Sequence, residues 1–516
     1  MIGAGCARLR AIMLSNIRTR LLVADDRLEK LPAWSRIMFP SRTCNNRWLP
    51  TRPAWSRNRP RLLEFSPAPG VSSMFNLLKW PLAAAMLAGS LAASPSAMAD
   101  RDGKIGHVFV IVLENEGFNT TFGTAAQQNP ATQFLAQTLP SQGVLLSQYY
   151  GTGHVSLDNY IAMISGQSST VQTHVDCTFY DDFKLTGVTP DGQAIGTGCV
   201  YPAQFKTLAD QLTAARFTWK GYMEDMGLNP KREQTTCGQP LDPQGKVALN
   251  ELDDTQGAEA FPGGDQYAAR HNPFVYFHSL IDSGECAKHV VNFNQLAQDL
   301  QHESTTPNFV FITPNLCHDG HDGNGAVTAC KNGEKTDGTH FGGGLVGANA
   351  FLKATVPLIT NSPAFKEDGL LIITFDEGGL NITSINGGSF NAITNQGTSC
   401  CGQQPGPNIG PLVANGQPLT LGFENADGSP PNFFISTPGF GGDRVGGVLL
   451  SPFLKPGTVS NVPFNHYSML KTIEDIFGLG HLGYAGQAGL QGFFGCTGSD
   501  ISARPEDQFG RCQRDD

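Results

Sequence analysis

The sequence predicts an α/β protein, an α/β/α sandwich around a largely parallel central sheet, and three observations predict it. Apolar runs of strand length lack polar alternation, helical stretches separate them, and polar or turn-forming residues follow each run. The runs are His107 to Leu113, Phe309 to Thr313, Leu370 to Phe375 and Val445 to Leu450. A strand covered on both faces has no solvated side to make polar, which is the situation inside a parallel sheet. Helical stretches include Phe205 to Ala215 and Ala348 to Thr355. Such alternation places chemistry at the carboxyl ends of the strands. From Gly378 to Arg444 the chain turns rich in Gly, Asn and Pro, which reads as long loops or an insertion near 378–444 rather than a second core.

The 516 residues, 40% hydrophobic, suffice for one large domain or two ordinary ones. Residues 1–73 stand apart: 13 Lys and Arg face four acids, and Pro-Ala-Trp-Ser-Arg occurs at Pro32 to Arg36 and again at Pro53 to Arg57 without helical or strand period. Met74, Lys79, an apolar run from Trp80 to Ala93 and Ala97-Met98-Ala99 then have the layout of a secretory signal peptide, with cleavage expected before Asp100. The simplest expectation is that translation begins at Met74, that 1–73 is a non-native extension and 74–99 the signal, and that 100–516 forms the functional domain. The competing reading is a genuine basic leader or membrane anchor, although the apolar run is short for a membrane span. A mature chain starting at Asp100 holds 21 basic and 41 acidic residues, a net charge of about −20. Such a field repels polyanions, so no nucleic-acid partner is expected. Ten cysteines remain, and secretion or periplasmic export favours disulfides. Short-range candidates are Cys177 with Cys199, Cys317 with Cys330 and Cys496 with Cys512, whereas Cys400 and Cys401 are expected to pair with distant partners. A thiolate zinc site is disfavoured because no C-x-x-C pair occurs.

Four clusters carry candidate chemistry. Glu114-Asn115 follows the first apolar run and offers a carboxylate and a carboxamide to a hard cation, or else caps a turn. His154, Ser156 and Asn159 lie in Gly151 to Tyr160, where a serine at a helix start can meet phosphate oxygens, or simply cap the helix. His318, Asp319, His321 and Asp322 follow the second run and combine imidazole with carboxylate, as metal ligands or as a solvated turn. Asp376-Glu377 ends the third run, where adjacent acids repel unless a cation or proton relieves them.

In this order the clusters resemble the phosphoesterase family of bacterial and fungal acid phosphatases and bacterial phospholipases C, nearest the secreted acid phosphatase branch. The likeness spans roughly 107–484: Tyr149-Tyr150-Gly151 through Ser165-Gly166, Trp219 to Met226, Thr313-Pro314-Asn315 with Asp319 to Asp322, Thr374 to Glu377, and His466-Tyr467-Ser468 into Leu479. It implies an alkaline phosphatase-like fold, a divalent metal cofactor, and a small phosphate ester, or alternatively a phospholipid, as substrate. Position by position it implies Ser156 as nucleophile, with Glu114, Asn115, Asp376 and Glu377 as metal ligands and Asp319 and Asp322 as further metal candidates. It also implies His154 and His321 as catalytic groups, with Asn159 and His466 at the substrate. Where many members follow the Asp-Glu pair with Asp-His, this chain has Leu380-Asn381-Ile382-Thr383, which weakens a phospholipase-like role. The expected reaction is attack by Ser156 on phosphorus, a phosphoserine, protonation of the leaving oxygen by His154 or His321, and hydrolysis by water. Two other readings compete: a phospholipase C-type phosphodiesterase, and a non-catalytic secreted binding protein.

Overall fold

Every apolar run without polar alternation enters one eight-stranded sheet in the computed structural model. The structure describes residues 105–256, 265–322, 343–385, 390–409 and 438–494, with short strands at 413–414, 417–418, 421–422 and 433–435. The expected extension and signal (1–99), Cys330, Cys496 and Cys512 lie outside the described residues.

The central strands are β1 (His107–Leu113), β2 (Val144–Leu146), β3 (Trp219–Met223), β4 (Val290–Asn292), β5 (Phe309–Thr313), β6 (Gly369–Phe375), β7 (Gly447–Leu450) and β8 (Thr458–Ser460). Their spatial order is β8-β2-β7-β6-β1-β5-β3-β4. Neighbours pair in parallel except β7, which runs against both β2 and β6. All residues of β1, β5, β6 and β7 are buried, which is why their sequences do not alternate.

Five helices bear on the site: α1 (Ser156–Ser165), α2 (Leu208–Ala215), α3 (Gly344–Thr360), α4 (Pro363–Asp368) and α5 (His466–Phe477). Val110 of β1 is in register with Phe311 of β5, so the two share a face. On that face the Phe311 ring meets Tyr160 of α1, with centroids 6.4 Å apart. Phe109, one residue away, points to the other face and meets Phe365 of α4 at 6.2 Å. Helices therefore cover both faces, and the expected α/β/α sandwich is present. Helix α1 ends at Gly166, whose φ of +66° and whose 2.1 Å approach to the Leu482 carbonyl by any added Cβ leave room only for glycine.

The Gly/Asn-rich stretch is not loop throughout. Ile382–Ile385, Phe390–Ile393, Phe433–Ile435 and Leu421–Gly422 form a small four-stranded sheet. Among the cysteines, Cys177 bonds Cys199 as expected, and Cys237 bonds Cys286, a pairing the spacing did not reveal. The expectation of distant partners for Cys400 and Cys401 is corrected, since they bond each other. A turn in which Cys401 takes φ +62° brings the neighbouring thiols together. No helix among the described residues is long and apolar enough to cross a membrane.

Candidate active site

Four parallel strands deliver acids to one end of the sheet: β1 runs into Glu114-Asn115, β3 into Glu224-Asp225, β5 into the loop reaching Asp319, and β6 into Asp376-Glu377. Ser156 opens α1 beside them. Glu114, Asn115, Ser156, Asp319, Asp376 and Glu377 are each at most 3% exposed, so their polar atoms answer to one another rather than to bulk water. The Ser156 hydroxyl donates to Glu114 Oε1 at 2.5 Å. It does not cap the helix, because the cap position belongs to Val155.

Val155 holds φ +71° and ψ 152°, a region that β-branched residues rarely occupy. Two contacts impose it: the Val155 N–H donates to Glu377 Oε2 at 3.2 Å, and its carbonyl accepts from Asn159 Nδ2 at 3.2 Å. The Asn159 Oδ1 also accepts from the N–H groups of Thr152 and Gly153, at 2.7 and 3.0 Å. Asn159, expected at the substrate, is thus fully enclosed and spends its carboxamide on holding the loop that leads into Ser156.

Asp376 Oδ1 accepts from the N–H groups of Asn115 and Glu377, at 2.8 and 2.7 Å, which ties the ends of β1 and β6 together. His154 lies between Glu377, bonded to its Nδ1, and Asp443, whose Oδ2 is 3.1 Å from its Nε2. Burial disfavours its charge, but Glu377 and Asp443 outweigh that and push its pKa up to about 10. His154 is therefore an imidazolium clamped by two carboxylates. His466, also expected at the substrate, stands behind the site: its Nε2 donates to the Asp376 carbonyl at 2.5 Å, so its Nδ1 accepts from the Tyr149 hydroxyl at 3.0 Å. Burial lowers its pKa to about 4 and keeps it neutral. His321 is 39% exposed at the side chain, with Nε2 3.5 Å from Asn115 Nδ2 and Nδ1 4.0 Å from Glu114 Oε1. Asp322 lies at the edge, 3.9 Å from Arg270 Nη2.

Sequence reading missed Arg270, His271 and Asp443. His271 Nε2 lies 3.0 Å from Glu114 Oε2, and its ring stacks on Tyr160 at 5.2 Å. Arg270 faces Asp176 at 3.5 Å, and Asp176 in turn accepts the Leu157 N–H of α1 at 2.9 Å. Both residues come from an irregular segment that follows no apolar run, so strand-end placement could not flag them.

Burial opposes the charge on Glu114, yet His271 and Arg270 hold its pKa well below the usual carboxylate range. Asp376 shifts far upward through burial and then through the charges of Glu114 and Glu377. Burial followed by Asp322 and Glu114 does the same to Asp319. Such crowding calls for a cation. Buried oxygens without a hydrogen-bond partner include Asn115 Oδ1, Asp319 Oδ2, Asp376 Oδ2 and Glu377 Oε1. All are hard donors of the kind that hold divalent cations, so the residues fit the expected metal. Among the described residues no three His, Cys, Asp or Glu side chains already stand at metal-binding spacing.

Residues 129–480 match the sequence profile of the Phosphoesterase family, a span that includes Ser156, His271, Asp376 and Glu377 and begins after Glu114-Asn115. Over 263 residues the chain is 28% identical to a phosphate-repressible acid phosphatase of Penicillium chrysogenum, covering 50% of this chain and 46% of that one. Over 277 residues it is 25% identical to an acid phosphatase of Aspergillus fumigatus, covering 52% and 44%. The chain thus spans just under half the length of the curated relatives it matches. A PsFucS1 sulfatase from Pseudoalteromonas sp. aligns over 80% of this chain and 74% of its own, with TM-score 0.37 and 12% identity. Superposition that loose carries no functional weight.

Proposed function

Because the chain belongs to the Phosphoesterase family, we propose that it is a secreted or periplasmic, metal-dependent phosphomonoesterase of the acid phosphatase type that works through a phosphoserine on Ser156. The observation that carries this reading is the buried Ser156 hydroxyl, 2.5 Å from Glu114 at a helix start and ringed by carboxylates with spare oxygens.

Glu114, Asn115, Asp376 and Glu377, with Asp319 in support, would hold a divalent cation, which when bound would supply positive charge against the phosphate oxygens and lower the pKa of the Ser156 hydroxyl. The residues do the rest. Ser156 Oγ forms the new bond to phosphorus as the bond to the departing alcohol oxygen breaks in line, and the hydroxyl proton passes to Glu114 Oε1, 2.5 Å away. His154 has both ring nitrogens committed, so it fixes Glu377 rather than moving protons. His321, in contact with solvent, protonates the leaving oxygen. His271 faces Glu114 at 3.0 Å beside the nucleophile, while Asn159 and His466 brace the loop and the Asp376 backbone. Water then releases phosphate from the serine.

The substrate is a small phosphate ester. Release of phosphate from monoester, diester and phospholipid probes, with and without chelator, tests the reading. Monoester turnover abolished by chelation supports it, a diester or phospholipid preference redirects it to the phospholipase C-type alternative, and no turnover at all would leave the non-catalytic binding protein.

A further inference from the structure

Building on the phosphomonoesterase reading, we infer that the leaving group of the natural substrate carries a second anionic group, a carboxylate or a phosphate, which Arg444 binds in a cavity beside the catalytic carboxylates. The cavity has a volume of about 420 Å³, and Phe118, Asn119, Tyr150, Thr398, Asp443 and Arg444 are among its lining residues. It adjoins the site on two sides. Gly117, also in its wall, lies two residues past Asn115, and a Cβ there would stand 3.8 Å from the backbone N of Gly379, two residues past Glu377. Asp443 meets His154, which itself holds Glu377.

Arg444 is built as a receptor. Its carbonyl accepts from the Phe118 N–H at 2.9 Å, and its backbone bridges that of Tyr150. Its guanidinium lies 4.4 Å over the Phe118 ring, and Nη2 donates to Asn119 Oδ1 at 3.1 Å. A guanidinium stacked and tethered in this way loses little freedom on binding an anion. The neighbouring Asp443 does not neutralise it, because that carboxylate is already engaged. Its Oδ1 accepts from Thr398 N at 2.6 Å, and its Oδ2 faces His154 Nε2 at 3.1 Å and Asn395 Nδ2 at 3.2 Å. In a chain of net charge −10, Arg444 presents a local cation with the fork that matches carboxylate or phosphate oxygens two at a time.

The test compares wild type, Arg444→Gln and Arg444→Lys on para-nitrophenyl phosphate, phosphoglycerate and a hexose bisphosphate. The first has no second anion, the second adds a carboxylate and the third a phosphate. Arg444→Gln should raise KM for at least one anionic probe by about tenfold or more with kcat nearly unchanged, and leave para-nitrophenyl phosphate alone. Arg444→Lys, which keeps the charge without the fork, should fall between. The probe that responds identifies the second anion. Equal effects on all three probes, no effect on any, or failure of wild type to cleave either anionic probe while cleaving para-nitrophenyl phosphate, would overturn the inference. Inactivity toward para-nitrophenyl phosphate would instead be a failure of the parent reading. The cavity is then judged by calorimetric binding of phosphoglycerate to Ser156→Ala protein: weaker binding on adding Arg444→Gln supports it, and equal binding overturns it.

Discussion

Replacing Ser156 by alanine should remove turnover and spare the fold, and the structure sets the size of each effect. The hydroxyl makes one hydrogen bond, to ionised Glu114 at 2.5 Å, and caps no backbone group. A hydrogen bond to a charged group contributes about 1.5–3 kcal/mol. Glu114 retains His271 at 3.0 Å on its other oxygen, so the loss belongs near the low end of that range. In a domain this large, about 2 kcal/mol lowers the melting temperature by only a few degrees. Activity should respond on another scale, since losing a nucleophile costs about 10⁴-fold or more in kcat. Steady-state hydrolysis of para-nitrophenyl phosphate reads the second effect and thermal unfolding the first. Acid quenching of wild type during turnover of a radiolabelled ester should place phosphate on the Ser156 peptide, provided the intermediate accumulates. Near-normal turnover by Ser156→Ala would refute the assignment, and water would then have to be the attacking group.

Exhaustive chelation should abolish activity and a divalent cation restore it, because the carboxylate of Glu114 and the partnerless oxygens of Asp319, Asp376 and Glu377 otherwise confront an anionic substrate; full activity after chelation would count against this. Gly442→Ala should lower kcat and cost about 1–3 kcal/mol, since its Cβ would stand 2.4 Å from the Gly153 carbonyl oxygen and 2.8 Å from Gly151 Cα, backbone atoms that cannot swing aside. Unchanged kcat would mean that the nucleophile loop tolerates the shift. Burial pushes the Glu474 pKa up to about 9, so the folded state binds its proton more tightly than the unfolded state does. Its contribution to stability is therefore greatest below the unfolded carboxylate pKa and is lost as pH rises toward 9. Glu474→Gln should flatten that decline in denaturant titrations across the window, and a wild-type-minus-variant difference independent of pH would contradict the assignment. Serines at both Cys237 and Cys286 should cost about 4 kcal/mol by the loop-entropy relation for a separation of 49 residues, measured by chemical denaturation.

The sequence displayed what burial imprints on it. Strands β1, β5, β6 and β7 are enclosed on both faces, so their apolar runs stood out, and acids just beyond such runs had few structural reasons to be there. Glu114, Asp376 and Glu377 were singled out in this way, whereas Ser156 was singled out by its place at a helix start and by the family resemblance. Strands β2, β4 and β8, three residues each, carry too little pattern to notice. His271 and Asp443 reach the cluster from segments whose paths depend on tertiary contacts: a short 3₁₀ turn over Ala269–His271, and the far end of the Gly-rich excursion. The family resemblance put Asn159 and His466 at the substrate. Only the structure shows that their polar atoms bond the Thr152–Val155 backbone, the Tyr149 hydroxyl and the Asp376 carbonyl.

The single reversed strand of the sheet has a topological consequence. Because β7 runs against β6, the chain leaves β6 at Asp376-Glu377 and re-enters the sheet through Asp443-Arg444 at the same end. The mouth of this excursion is stitched by the Gly378 N–H donating to the Gly442 carbonyl at 2.7 Å. Everything between is a closed detour whose two feet both stand at the catalytic centre. Asn395 and Thr398, within the detour, both bond Asp443, so a change in its path is felt at His154 through that carboxylate.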